Sequence, residues 1–334
     1  MSTRKIAVLT SGGDCCGMNA ALYDIYKLSK KYKFELCFVL NGLKGLLDDT
    51  FIDVSYNHET DSKLKDYSKK GGTFIYSARV KNFIEESVQK EAVKTLKKHK
   101  ITDLIVIGGN GSFKAALALS KLGLNVYGIP ATIDNDLFYT EFTLGFLSSF
   151  IHNLDYIDTL RVTMRSHHRL ALVEVMGNKC GELAAFSSYY GDGDICFVNE
   201  LNNSVDDIIK FINKKSEKSI LIVSESVMHS SKLLELIKDK VDIEVKDCNL
   251  GHLQRGGNNE MEDLYLANEF VNETFKNLLN EDSGKCVGIK GCDDKFKGEV
   301  FSIDINKIDS FTNHNYSELI NRVYQKVKET NEAK

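Results

Sequence analysis

Apolar residues fall in short unbroken runs at residues 5–9, 36–40, 104–107 and 126–129, and again at 170–175, 195–198, 220–223 and 243–245. Runs that do not alternate with polar positions are what parallel strands buried on both faces present. Segments of helical period lie between them; over residues 88–98, Val88, Ala92, Val93 and Leu96 recur at helical spacing. Two successive series of strand and helix predict an α/β chain with two doubly wound, mostly parallel sheets, the change of series falling near residue 145. Residues 143–164 read as a helix bridging the two series. Residues 316–328 read as a closing helix, beyond which the last charged residues are expected to fray.

Composition narrows the class of protein. A chain of 334 residues is long enough for two domains, each with its own core. Its formal charge of −4 gives no global attraction to nucleic acid or to an anionic membrane, so any anion must be held locally. No apolar run approaches the roughly 20 residues needed to span a bilayer. The opening Met1-Ser2-Thr3-Arg4-Lys5 leads straight into a strand-like run, unlike a secretion signal. Eight scattered cysteines show no zinc spacing and no disulfide framework. A reduced, cytoplasmic protein without nucleic-acid or membrane partners is the expectation.

The chemistry concentrates in polar turns. Ser11-Gly12-Gly13-Asp14, Lys70-Gly71-Gly72-Thr73 and Gly108-Gly109-Asn110-Gly111-Ser112 are each expected to follow a strand, the third opening a helix near Ser112. Such turns let backbone N–H groups approach phosphate oxygens, and a helix N-terminus adds a favourable dipole. None matches the eight-residue phosphate loop or a dinucleotide fingerprint, which argues against an oxidoreductase. The only proline, Pro130, precedes Ala131-Thr132-Ile133-Asp134-Asn135-Asp136, two carboxylates and a hydroxyl at a strand's carboxyl end. The second series adds Ser166-His167-His168-Arg169, Val173-Glu174-Val175-Met176-Gly177, Ser224-Glu225-Ser226 and Gly251-His252-Leu253-Gln254-Arg255-Gly256-Gly257. Arginine and histidine in glycine-bounded turns suit a phosphate monoester.

Taken in order, Thr10-Ser11-Gly12-Gly13-Asp14, Gly71-Gly72-Thr73 with Ser77-Ala78-Arg79, residues 132–136, residues 173–177 and residues 251–257 resemble the bacterial-type ATP-dependent phosphofructokinase family over residues 4–300. The resemblance implies transfer of a phosphoryl group from ATP, with Mg²⁺, to the 1-hydroxyl of fructose 6-phosphate. It implies a larger nucleotide-binding domain of residues 1–145 and 254–305, a smaller sugar-phosphate domain of residues 146–253 and 306–334, and an active site in the cleft between them. Asp134 is implied as general base, Thr132 and Arg79 as partners of the transferring phosphoryl, and Asp136 as support for the metal. Gly12, Arg79, Val80, Gly109, Asn110, Gly111 and Ser112 are implied on the nucleotide, with Asn110 at the metal. Thr132, Ile133, Asp134, Met176, Gly177, Asn178, Glu225, His252, Leu253, Gln254 and Arg255 are implied on the sugar phosphate. Arg169 and Lys246 would reach it from a neighbouring copy in a homotetramer.

Departures from the family's pattern carry their own expectations. Asn110 stands where the family has a metal-supporting aspartate, Asn178 and Lys246 where it has arginines, Leu43 where it has an aromatic, and Cys15-Cys16 where it has Ala-Pro. Weaker Mg²⁺ affinity and reduced turnover follow. Gly111 and Ala131 stand where pyrophosphate-dependent relatives carry aspartate and lysine, which favours ATP. In the family's allosteric pocket Tyr23, Thr50 and Ser216 replace cations and Asp194 replaces glutamate, leaving Lys27, Arg161, Lys214 and Lys218; blunted regulation is expected. Two other readings stand beside the kinase: a weakened, sugar-phosphate-sensing homologue in a mixed oligomer, and a kinase of a related sugar phosphate.

Overall fold

The structure is a computed structural model and describes residues 4–333. Met1, Ser2 and Thr3, which open the chain, and Lys334 lie outside the described residues. In chain order the elements are β1 (Lys5–Ser11), α1 (Met18–Tyr32), β2 (Glu35–Val39), α2 (Leu43–Leu47), β3 (Phe51–Asp53), α3 (His58–Tyr67), α4 (Glu86–Lys98), β4 (Asp103–Gly108), α5 (Asn110–Lys121) and β5 (Asn125–Pro130). There follow α6 (Phe146–Ser166), β6 (Arg169–Val175), α7 (Glu182–Tyr190), β7 (Ile195–Phe197), α8 (Val205–Lys214), β8 (Ile220–Ser224), α9 (Ser230–Ile237) and β9 (Glu244–Asn249). The chain ends with α10 (Met261–Leu279), β10 (Lys285–Lys290), β11 (Glu299–Asp304) and α11 (Glu318–Glu332).

Two sheets form, as the two series of apolar runs predict. The first has seven strands in the order β11-β10-β5-β4-β1-β2-β3, parallel except for β3 and β11, which pair antiparallel at its edges. The second has four parallel strands in the order β7-β8-β6-β9. Ile6, Ala7, Val8 and Leu9 are wholly buried, which is why β1 carries no polar alternation. β9 departs from that rule: it is an edge strand with every residue at least partly exposed.

Packing divides the described chain into two compact units. The first holds residues 4–132, Leu137–Gly145 and Gly257–Asn313; the second holds Ile133–Asp136, Phe146–Gly256 and the C-terminal segment from His314. Three boundaries differ from the expected ones. The turn Ile133–Asp136 groups with the second unit, to which buried Asn135 is hydrogen-bonded through Glu182. The later divisions fall after Gly256 and Asn313, because Gln254 is bonded to Asn153 and Met176 of the second unit and Ile308 packs in the core of the first.

Several local expectations are corrected. The second glycine turn follows helix α3, not a strand; α3 buries only Leu64 and so lacks a clear apolar period. The expected helix over residues 143–164 begins at Phe146, because Leu144 bridges to Ala131 and Gly145 adopts φ +94°. The helix after Gly109 starts at Asn110 rather than near Ser112. The closing helix starts at Glu318 and runs to Glu332, past the point where fraying was expected.

Candidate active site

In the first unit three turns and one strand end are fastened together. Gly12 follows the last buried strand position with φ +94°, a left-handed value that favours glycine, and its carbonyl accepts the Ser77 hydroxyl at 2.7 Å. The Thr10 hydroxyl meets that of Thr73 at 2.9 Å and donates to the Tyr76 carbonyl at 3.0 Å. Asn19, on α1, holds the second turn from beneath. Its amide donates to the Lys70 and Gly71 carbonyls, each at 3.1 Å, and its carbonyl accepts the Phe74 N–H at 2.9 Å. Sequence reasoning missed Asn19, whose role depends on partners more than fifty residues away.

The third turn lies against the first. A Cβ on Gly108 would come within 2.4 Å of the Ser11 carbonyl oxygen, so only glycine lets β4 approach β1 there. Gly109 caps α5, whose first N–H groups have no intrahelical acceptor and form an anion-receptive end. The Asn110 side-chain Oδ1 is buried without a hydrogen-bond partner. Ser112 is buried and Gly111 exposed; a Cβ on Gly111 would meet nothing within 4 Å. Thr132 joins this cluster: the Ala131 N–H donates to the Gly108 carbonyl and the Thr132 N–H to that of Leu144, each at 3.0 Å. Arg79 is exposed, and Val80 is half-buried against the core of the first unit.

The turn Ile133–Asp136 faces two ways. Ile133 and Asn135 are buried, whereas Asp134 and Asp136 are half-exposed. Asn135 has φ +52°, a left-handed value that asparagine tolerates better than most side chains. Burial pushes the Asp136 carboxyl above the ordinary aspartate value, opposed by a long 3.5 Å hydrogen bond from the Asn178 side chain.

In the second unit the strand ends converge on a cavity of about 130 Å³ whose lining includes Met176, Glu225, His252 and Gln254. Met176 follows β6 and Glu225 follows β8. One Glu225 oxygen accepts the N–H groups of Gly177 at 3.0 Å and Asn178 at 2.7 Å, fixing the carboxylate by its backbone partners. Gln254 accepts the Met176 N–H at 3.1 Å and the Asn153 amide at 3.3 Å. Gly177 has φ +149°, and a Cβ there would lie 2.3 Å from the Cys180 carbonyl oxygen. His252 and Leu253 are exposed on the Gly251–Arg255 turn, and Arg255 is half-buried.

Arg169 and Lys246 stand apart from this group. Arg169 begins β6 and Met176 follows its end, a strand length of about 23 Å at 3.3 Å per residue. Both cations are instead paired to Glu244, Arg169 Nε at 2.6 Å and Lys246 Nζ at 2.5 Å.

The residues expected in an allosteric pocket are also engaged within the chain. Lys27 pairs with Asp24 at 2.6 Å and lies over the Tyr23 ring. Arg161 is buried and donates to the Gly191 carbonyl. Lys214 donates to the Glu332 carbonyl at 2.8 Å, and Lys218 pairs with Asp242 at 2.8 Å. Asp194 accepts the N–H groups of Ser219 and Ile220, each at 2.8 Å.

Comparison with known proteins places the chain. The phosphofructokinase family model matches residues 5–278. The chain belongs to the phosphofructokinase family. An ATP-dependent 6-phosphofructokinase of Clostridium perfringens is 37% identical over 309 residues, covering 91% of this chain and 93% of that protein. The crystal structure of Pichia pastoris phosphofructokinase shares the fold with a TM-score of 0.83 at 24% identity, over 99% of this chain and 37% of that longer one. A pyrophosphate-dependent phosphofructokinase from Marinobacter aquaeolei has the same fold, with a TM-score of 0.83 at 17% identity over 93% and 85% of the two chains. The phosphofructokinase fold thus accommodates both donors, and donor choice must rest on individual residues.

Proposed function

We propose that the chain is an ATP-dependent 6-phosphofructokinase, transferring the γ-phosphoryl of ATP to the 1-hydroxyl of fructose 6-phosphate. The observation that carries this reading is the 37% identity to the clostridial ATP-dependent enzyme across 91% of the chain. The turn geometry supports it. The N–H groups at Gly12 and residues 109–112 receive the nucleotide phosphates, and the space beside Gly111 admits the rest of the nucleotide. Met176, Gly177, Glu225, His252, Leu253, Gln254 and Arg255 hold the sugar phosphate, with Asn178 and Ile133 at its edge.

The sugar hydroxyl oxygen attacks the γ-phosphorus as the bond to the β–γ bridging oxygen breaks, and ADP leaves. Asp134 takes the hydroxyl proton. The Thr132 hydroxyl and the Arg79 guanidinium meet the charge that spreads over the transferring phosphoryl. Asp136 supports this network.

Mg²⁺ fits the donor set in one limited way. Among the described residues no group of three or more His, Cys, Asp or Glu could hold a metal ion. Magnesium bound mainly by phosphates and water needs few protein ligands, and the buried, unpartnered Asn110 Oδ1 fits one such place. When bound it would neutralise phosphate charge.

A homotetramer completes this picture, Arg169 and Lys246 serving the site of a neighbouring copy; the strand length between Arg169 and Met176 within one chain supports that role. A cytoplasmic location fits the free thiols of Cys37, Cys180, Cys196, Cys248, Cys286 and Cys292. Among the described residues no helix is long and apolar enough to cross a membrane. The neutral Asn110 favours one second reading, a weakened sugar-phosphate-sensing homologue.

The test is a coupled assay of the full chain with ATP, fructose 6-phosphate and titrated Mg²⁺, beside Asp134→Asn. Turnover is expected with ATP, and a loss of about 10²–10⁴-fold in kcat in the variant. Turnover with pyrophosphate alone reverses the donor assignment. Sugar-phosphate binding without turnover selects the sensor.

A further inference from the structure

Behind the Ile133–Asp136 turn lies a buried polar pair that the mechanism above does not use. Glu182 opens α7 and His314 begins the C-terminal segment of the same unit; their side chains are 4% and 1% exposed. One Glu182 oxygen meets His314 Nδ1 at 2.5 Å. The other accepts the side-chain amide of Asn135 at 2.8 Å. Asn135 is wholly buried, in the left-handed region, with one carboxylate on either side of it in the chain.

A carboxylate this deep must be compensated. His314 supplies one partner, and the N-terminus of α7 supplies a favourable dipole. Held in this way, Glu182 is a fixed acceptor rather than a mobile side chain. A fixed acceptor for Asn135 determines which way the turn rotates. With Asn135 held inward, Asp134 and Asp136 stay partly exposed on either side of it. Loss of that bond frees the turn to rotate and carries the reacting carboxylate with it.

We propose that Glu182 and His314 are positioning residues, acting through Asn135 to aim Asp134. The kinetic part of this proposal rests on the kinase reading; the structural part does not. Neither residue touches the reacting atoms.

The test uses the full-length protein. Asn135→Gly keeps a backbone tolerant of positive φ while deleting the tether. Its kcat is expected to fall about 10- to 100-fold, as small misplacements of reacting groups do, with KM for sugar phosphate and ATP within about twofold of wild type. Glu182→Gln, which retains an oxygen acceptor, is expected to recover most of the kcat that Glu182→Ala loses. Val327→Ala, in the buried face of α11, is the control for stability loss and should keep wild-type kcat. Wild-type kcat in Asn135→Gly, or a loss no larger than that of the control, overturns the proposal.

Hydrogen exchange separates this outcome from failure of the kinase reading. Whether or not the protein turns over, the amides of Ile133–Asp136 are expected to exchange faster in Asn135→Gly and Glu182→Ala than in wild type and the control. Unchanged exchange there overturns the proposal on its own.

Discussion

Lys218 Nζ lies 2.8 Å from Asp242 Oδ1, so a cation expected in an effector pocket is already paired within the chain. Charge-assisted hydrogen bonds contribute about 1.5–3 kcal/mol each, so three absent cations and engaged remaining ones leave little for an anionic effector. Nucleoside diphosphate or phosphoenolpyruvate at millimolar concentration is expected to shift the half-saturating fructose 6-phosphate concentration by less than about twofold, as one well-made contact is worth tenfold. Saturation curves with and without effector check this; strong cooperative inhibition would contradict it.

Asn110 offers a neutral oxygen where a carboxylate would add charge. Asn110→Asp is expected to tighten Mg²⁺ by about tenfold and to raise turnover at limiting Mg²⁺, since one charged contact contributes about 1.5–3 kcal/mol. A magnesium titration of rate in the two proteins decides it. Superimposable curves would refute the role given to Asn110.

Gly111 has room for a side chain and sits in the first turn of α5. Gly111→Asp is therefore expected to fold and to gain about 0.5–1 kcal/mol from the loss of glycine's backbone entropy. Its ATP-dependent kcat/KM should nevertheless fall at least about 100-fold, because like charges in contact cost several kcal/mol. Thermal melts and the coupled assay read the two effects separately. Unimpaired use of ATP would remove Gly111 from the donor site.

Asp136 titrates above the ordinary aspartate value because partial burial strips water from its carboxylate. The folded protein therefore holds its proton more tightly than the unfolded chain, and stability falls as pH rises through that window. Below the ordinary value both states are protonated and the effect vanishes; above the raised value it is constant. Asp136→Asn lacks this penalty, so it should melt higher than wild type at neutral pH, the gap closing under acid. Its kcat is expected to fall about 10- to 100-fold if the carboxylate supports the reacting network. Melting curves against pH, with rates beside them, check both signs.

The parallel core was legible because its strands are buried on both faces and leave continuous apolar runs. The elements that went unread carry weaker marks. β3 is three residues long and mostly exposed, and β11 is an antiparallel edge strand with no fully buried residue. The polar helix α3 shows too little apolar period to be distinguished from a loop. Gly145 ends one reading abruptly: residues 143–164 look continuous, but a Cβ at Gly145 would stand 2.4 Å from that of Cys15, a constraint set by a residue far away in the chain.

The candidate turns were legible for a related reason: Thr132, Asp134, Met176 and Glu225 were expected just beyond strand ends, and they lie after β5, β6 and β8. The supports behind those turns were not. Glu182 lies 47 residues from Asn135 and 132 from His314, and nothing local in either segment marks the partner. Arg169 and Lys246 show the converse: the resemblance implied a phosphate partner for them, whereas within the chain both are paired to Glu244.

The chain passes between its two units after residues 132, 136, 145, 256 and 313, so neither unit is a continuous stretch. During synthesis the first unit cannot be completed until Asn313 has left the ribosome, and the second must wait for the helix that follows. A gene interrupted after residue 132, 136, 145 or 256 would leave both units incomplete. Assembly of the two is therefore a late, shared event, and early termination products should be cleared by proteolysis rather than persist as working fragments.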